Sequence, residues 1–208
     1  MPLKTPIVLE IDRDTWLVGE YGGVCGYALC GEDRGILIDA DGAISLMPTL
    51  PYRLFAGKPY DSLHTNEAAG EQKISLGGRT LDCVALPNGT SAFFDGKSGI
   101  AFIGEALHRR MELAVPVSEA LVGLMRLRAW GPSRLYPAHP DAPDFRALTI
   151  QTLNDAIAAC RSILHPSRDT YALAGERSAA VFGEVTVSYD KNKRWAEGEQ
   201  ESPYPIGL

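Results

Sequence analysis

Between residues 5 and 41 short apolar runs alternate with polar breaks: TPIVLEI, TWLVG, VCGYALC and GILIDAD are separated by Asp-Arg-Asp, Glu-Tyr-Gly-Gly and Gly-Glu-Asp-Arg-Gly. Runs this short, rich in β-branched and aromatic residues and bounded by turn formers, predict strands, and the tight connections make them an antiparallel meander. The alternation fades over residues 42–72, where Pro48, Pro51 and Pro59 interrupt the chain. At most one short helix is expected over residues 42–76. Strand patterning returns in KISLGG, RTLDCVAL, TSAFFD and GIAFIG, the last two joined through Asp95-Gly96-Lys97-Ser98-Gly99.

Helical spacing then takes over. SEALVGLMRLRAW places Ser118 where an N-cap would stand and Glu119 in the first turn, with Leu121, Leu124, Met125 and the stem of Arg128 along one side. A second helix is predicted from Asp144, where Phe145, Leu148, Leu153, Ala156, Ile157, Cys160, Ile163 and Leu164 recur every three or four positions up to His165-Pro166. SAAVFGEVTVSYD closes the pattern as a hairpin, with Val185, Val187 and Tyr189 on one face and Thr186 and Ser188 on the other. Sheet, thin connection, sheet, two helices and sheet make an α+β chain. Two packed sheets with helices outside, a four-layer sandwich, fit that order, and so do other α+β arrangements.

Composition narrows the class of partner. The 208 residues, 45% hydrophobic and 22% charged, are expected to form one domain, residues 1–208, with a real core. A formal net charge of −6 opposes phosphate backbones and anionic lipid, and the single basic cluster, Lys191-Asn192-Lys193-Arg194, reads as a solvated turn. Nucleic acid and membrane are therefore excluded as expected partners. The four cysteines form no C-x-x-C, and Cys25 and Cys30 fall on opposite faces of one strand, so buried free thiols are expected. With no apolar core of a signal peptide near the start and no run approaching the ~20 apolar residues of a membrane span, a cytoplasmic location is expected.

GILIDAD, ISLGGRTLDCVALPNGTSAFFDGKSGIAFIGEAL, SRLYPAHPD and LAGERSAAVFGEVTVSYD follow one another in an order that resembles the metallo-β-lactamase-fold superfamily of hydrolases. The first is similar to the strand that ends in an aspartate before the first helix. The second is similar to the glycine-rich hairpin, the Pro-Gly-His-Thr turn, and the hairpin that closes on Gly-Asp. The third is similar to the strand that delivers a last histidine. The resemblance implies a four-layer αβ/βα sandwich, shortened in the region after Asp41.

The departures bear on chemistry. The superfamily's H-x-H-x-D-H signature, which supplies ligands to two zinc ions, does not occur in this chain. Either SLHTNEAAG replaces it, with Ser62, His64, Asn66 and Glu67 at the four ligand places, or the segment is deleted. Pro87-Asn88-Gly89-Thr90 covers the ligand turn with Gly89 where the histidine belongs, and Glu105 stands for the bridging aspartate. Downstream of SLHTNEAAG, His139 alone keeps the residue that the resemblance places there.

A hydrolytic zinc site needs about three protein ligands and one open position to generate hydroxide at neutral pH. The best donor set the resemblance offers is His64, Glu67, Glu105 and His139, enough for a single zinc, iron or manganese ion or for none, but not for the usual pair. Plainer readings stand beside each: His64 as a side chain of a polar loop, Glu67 in the first turn of a short helix, Glu105 at a solvent-facing strand end. Asp39 and Asp41, two apart at a strand end, are expected to face the same side of the cleft. No G-x-S-x-G supports serine catalysis. His108 with Arg109 and Arg110 reads as wet surface, and His165 as a cation at a helix C-terminus. The expected function is a small-molecule-binding or structural relative of the hydrolases, with a metal-dependent hydrolase of reduced site as the alternative. A shortened domain would leave core surface that a second copy could cover, so a homo-oligomer is possible and the oligomeric state stays open.

Overall fold

The opening meander forms β1 (Pro6–Asp12), β2 (Thr15–Glu20), β3 (Cys25–Cys30) and β4 (Gly35–Ile38), each antiparallel to the one before. These observations come from a computed structural model that describes residues 5–21, 23–67, 70–86, 89–140, 145–165, 170–172 and 177–197. There follow α1 (Asp41–Leu46), α2 (Leu50–Phe55), β5 (Tyr60–Leu63), β6 (Gln72–Ser75), β7 (Thr80–Ala85), β8 (Ser91–Asp95) and β9 (Ile100–Gly104). The remainder comprises β10 (Arg110–Glu112), α3 (Val117–Ala129), β11 (Arg134–Pro137), α4 (Ile150–Leu164), β12 (Thr170–Ala172), β13 (Arg177–Phe182) and β14 (Val185–Asp190). Two compact units divide the chain, residues 1–106 with 130–149 and residues 107–129 with 150–208.

The first unit holds two five-stranded sheets, ordered β1-β2-β3-β4-β5 and β11-β9-β8-β7-β6. Strand alternation sorts the first sheet's residues between two cores. Leu17, Cys25, Tyr27, Leu29, Ile36 and Ile38 face inward and pack with Leu81, Phe93, Ile100, Phe102 and Tyr136 of the second sheet. Val18, Ala28 and Leu37 face the other way and are covered by Ala43, Leu50 and Phe55 of α1 and α2. Cys25 and Cys30 thus point to opposite faces, as the spacing predicts, and all four cysteines are free. Gly35 is required by this packing, because a Cβ there would stand 2.6 Å from the Phe55 ring.

Residues 42–76 carry two short helices, not the single one expected. Pro51 falls in the first turn of α2, where its missing N–H would have no helical partner anyway, so a residue read as a breaker starts a helix instead. Ala56 (φ 51°) and Gly57 (φ 80°) end it in left-handed conformations. The chain then returns as β5, which the sequence pattern does not reveal, parallel to β4.

The second unit holds α3, α4 and a four-stranded sheet ordered β10-β14-β13-β12. The C-terminal strands therefore form a third sheet with β10, and α4 packs on β13 and β14. Val185, Val187 and Tyr189 are buried on one face of β14 and Thr186 and Ser188 are not, as the alternation predicts. Two helix starts differ from expectation. α3 begins at Val117, with the Pro116 carbonyl accepting from Ala120 N–H at 3.1 Å, so Ser118 is not its N-cap. Ser118 Oγ instead accepts the N–H of Ala196 at 2.9 Å, while the carbonyls of Lys193 and Arg194 take the N–H groups of Val117 and Ser118. α4 begins at Ile150, because Phe145 has φ 48° and Leu148 exchanges two backbone hydrogen bonds with Leu135 of β11. Phe145 and Leu148 are buried as part of the first unit, not as helix. Asp144 and Pro166, taken from the sequence as the limits of that helix, lie outside the described residues.

No helix among the described residues is long and apolar enough to cross a membrane.

Candidate functional site

Parallel pairing decides which residues meet at one end of the first unit's sheets. β4 and β5 run parallel, so Asp39 and His64, each just past its strand, emerge together. β9 and β11 also run parallel, and the register shift between Tyr136 and Pro137 sets Pro137 opposite Gly104. Glu105 and His139 follow immediately. The Ala138 N–H donates to the Gly104 carbonyl at 2.9 Å, and His139 Nε2 lies 3.3 Å from Glu105 Oε1.

The segment 64–67 ties these ends together. Asp39, in a left-handed conformation at φ 50°, accepts the Thr65 N–H at 2.9 Å and the Thr65 hydroxyl at 2.7 Å. Thr65 passes the linkage on: its carbonyl accepts the Ser91 N–H at 2.7 Å, and the Ser91 hydroxyl donates to the Glu67 carbonyl at 2.6 Å. Gly104 (φ 52°) admits the loop, since a Cβ there would sit 2.2 Å from Thr65 Oγ1. Thr65 and Ser91 are both buried, so these bonds form where water does not compete strongly.

Two expectations need correction. Asp39 and Asp41 do not share a strand face: β4 ends at Ile38, Asp39 turns left-handed and Asp41 opens α1. Alternation holds only while the chain is extended. Glu67 lies in a turn closed by its N–H to the His64 carbonyl at 3.4 Å, not in a helix. Asp41 meets His64 instead, its Oδ2 3.6 Å from Nδ1.

The candidate donors thus form two carboxylate–imidazole pairs, Asp41 with His64 and Glu105 with His139. Among the described residues no three His, Cys, Asp or Glu side chains converge in a group that could hold a metal ion. Gly89 (φ 73°) brings no side chain, and Pro87 and Asn88 of the same turn lie outside the described residues. The donor set does not fit a pair of zinc ions, which needs more ligands than either pair supplies. Burial pushes the Cys25 thiol up to about 11 and raises that of Cys83, so both are protonated at neutral pH. Burial also raises the Tyr27 phenol well above its usual range; it donates to the Pro137 carbonyl and holds the end of β11.

Thr65 and Ser91 carry the site's internal linkage and were not singled out from the sequence. Their signal was present only as a threonine beside His64 and a serine opening a strand, types too common at such places to stand out.

No family model matches the sequence, and no curated protein matches it. Solved structures do. A metallo-β-lactamase from Pontibacter korlensis is similar over 74% of this chain and 98% of its own, with 13% identity and a TM-score of 0.52. A metallo-β-lactamase from Erythrobacter litoralis covers 78% and 99%, with 9% identity and a TM-score of 0.55. VMB-1 covers 77% and 98%, with 9% identity and a TM-score of 0.57. At such identities the likeness concerns backbone architecture, with its α+β build of several sheets. The chain therefore has the fold of the metallo-β-lactamase superfamily.

Proposed function

We propose that this chain is a non-catalytic relative of the metallo-β-lactamase-fold hydrolases, one that lacks the dinuclear zinc site and serves as a small-molecule-binding or structural protein. The observation that carries the reading is the pairing of donors: among the described residues at these strand ends, His64 meets Asp41 and His139 meets Glu105, and no third His, Cys, Asp or Glu joins either pair in a metal-holding group. The missing H-x-H-x-D-H and the glycine at position 89 support it from the sequence. A single-domain cytoplasmic protein that leaves nucleic acid and membranes alone and associates with its own copies completes the proposal. The negative charge and the free thiols support its chemistry.

A second reading draws on Glu105 and His139, which are close enough to ligate one ion together and would need a further donor from Glu67 or His64. In that case a single zinc, iron or manganese ion would polarise a bound water for hydrolysis. Assays with a chromogenic β-lactam and a thioester, with zinc or manganese added, separate the two. The first reading expects no turnover above that of the His139→Ala variant. Metal-dependent turnover abolished by His139→Ala establishes the second.

A further inference from the structure

β8 runs from Ser91, at the candidate site, to Asp95 at the opposite end of the same unit, where a cavity of about 430 Å³ opens. That volume lies in the range of small-molecule sites, roughly 300 to 1,000 Å³. The β1–β2 turn, the segment after β3, Lys58 beyond α2, and the β8–β9 turn surround it. Its floor is Arg79, whose Nη2 and Nε donate to Asp95 Oδ2 at 2.7 and 3.0 Å, and whose remaining donors reach Thr15 Oγ1 and the Asp14 carbonyl. Burial works against the Asp95 carboxylate, but the bonds from Arg79 and Ser98 more than offset it and hold its pKa below the usual range. The floor is therefore charged but internally neutral.

The charges that remain are arranged differently. Asp12 is paired with Arg134 and Asp14 with Arg13. Lys58 Nζ is held by the Gly31 carbonyl at 2.8 Å, and Lys97 Nζ by the Gly78 carbonyl at 3.2 Å. A backbone carbonyl fixes an ammonium without neutralising it, and each ammonium has three N–H donors. Two positioned cations, Lys58 and Lys97, thus line the cavity over a neutral floor; of its four carboxylates Asp12, Asp14 and Asp95 are ion-paired and Glu32 is in no ion pair among the described residues.

We propose that this cavity binds a small molecule through an oxyanion group, a phosphate or a carboxylate, held by Lys58 and Lys97. The site is separate from the strand ends that carry Glu105 and His139, and it goes beyond the proposed function by naming a ligand chemistry. Glu32 limits affinity by repulsion and selects against bulky polyanions.

Cys30 provides the readout. It lines the cavity with its sulfur 3.8 Å from Lys58 Nζ, and it is half-buried whereas Cys25, Cys83 and Cys160 are buried. Alkylation of the native chain by iodoacetamide, followed by intact mass, is expected to modify Cys30 first. Inorganic phosphate or citrate, titrated at constant ionic strength against chloride, should slow that reaction in a saturable way, and the stronger of the two identifies the group preferred. Lys97→Gln, which leaves Cys30 and Lys58 in place, should weaken the protection about tenfold, the loss expected for one charge-assisted bond. Glu32→Gln should strengthen it. Circular dichroism of both variants confirms that the fold is kept. Alkylation indifferent to both anions overturns the proposal, and so does protection unchanged in Lys97→Gln or weakened in Glu32→Gln.

Discussion

At one end of the first unit's sandwich the Asp95 side chain is 0% exposed beneath an Arg79 side chain that is 6% exposed, and every polar atom of the aspartate has a donor. At the other end Glu105 and His139 meet at 3.3 Å with 59% and 51% of their side chains in water. The difference lies in what each interaction costs to lose. A buried pair cannot shed one partner without stranding a charge in low dielectric, whereas an exposed pair exchanges its partner for water at little cost. At this end the part-buried linkage Asp39–Thr65–Ser91 ties the strand ends together. Exposed side chains such as Glu105 and His139 can therefore be replaced at little cost to the strand ends that present them.

Breaking the sealed end should produce the largest effect. Asp95→Ala leaves the Arg79 guanidinium buried without a counter-charge, and urea unfolding should show a loss of about 3–5 kcal/mol. Replacing both residues by apolar ones of similar size should restore most of it. The same carboxylate sharpens the comparison through pH. Its folded pKa is held below the ordinary value of 3.8, so the folded state binds fewer protons than the unfolded state in that region. Its stabilisation is complete above pH ~4 and is lost as pH falls through the folded pKa. Acid unfolding should accordingly be less steep in Asp95→Ala than in the unaltered chain.

The linkage at the other end ranks next. Asp39→Ala removes two hydrogen bonds to Thr65 and leaves a non-glycine residue at φ 50° without the local bonding that favours aspartate there. A loss of about 1–3 kcal/mol is expected for the stranded donors. Thermal unfolding followed by near-ultraviolet circular dichroism would measure it. A change as small as that of an ordinary surface substitution would mean that the loop is held by something else.

β14 was legible because one of its faces is buried and period-two alternation is written into its residues, whereas β3, β4 and β9, buried along nearly their whole length, were legible as short apolar runs between turn formers. β5 was not legible: Tyr60, Asp61 and Ser62 are exposed on an edge strand, where no burial imposes a pattern. The start of α4 was misread because Phe145 and Leu148 are apolar at helical spacing for an unrelated reason, burial within the first unit. At the candidate site the resemblance put Glu105 and His139 in one donor set, and the two side chains lie 3.3 Å apart. It could not show that His64 would pair with Asp41, because that meeting depends on β4 and β5 running parallel.

The exposed pair should give the smallest effect. Glu105→Gln and His139→Ala are each expected to change stability by less than about 0.5 kcal/mol, since both side chains are more than half in water. A loss several times larger would place the pair among the interactions that hold the fold.

The central claim, that the strand ends no longer hold a pair of metal ions, is tested most directly by elemental analysis of the chain purified without chelator and loaded with excess zinc before gel filtration. The account predicts at most one ion per chain, lost on dialysis against a mild chelator. Two zinc ions retained per chain, with His139→Ala lowering that number, would contradict it.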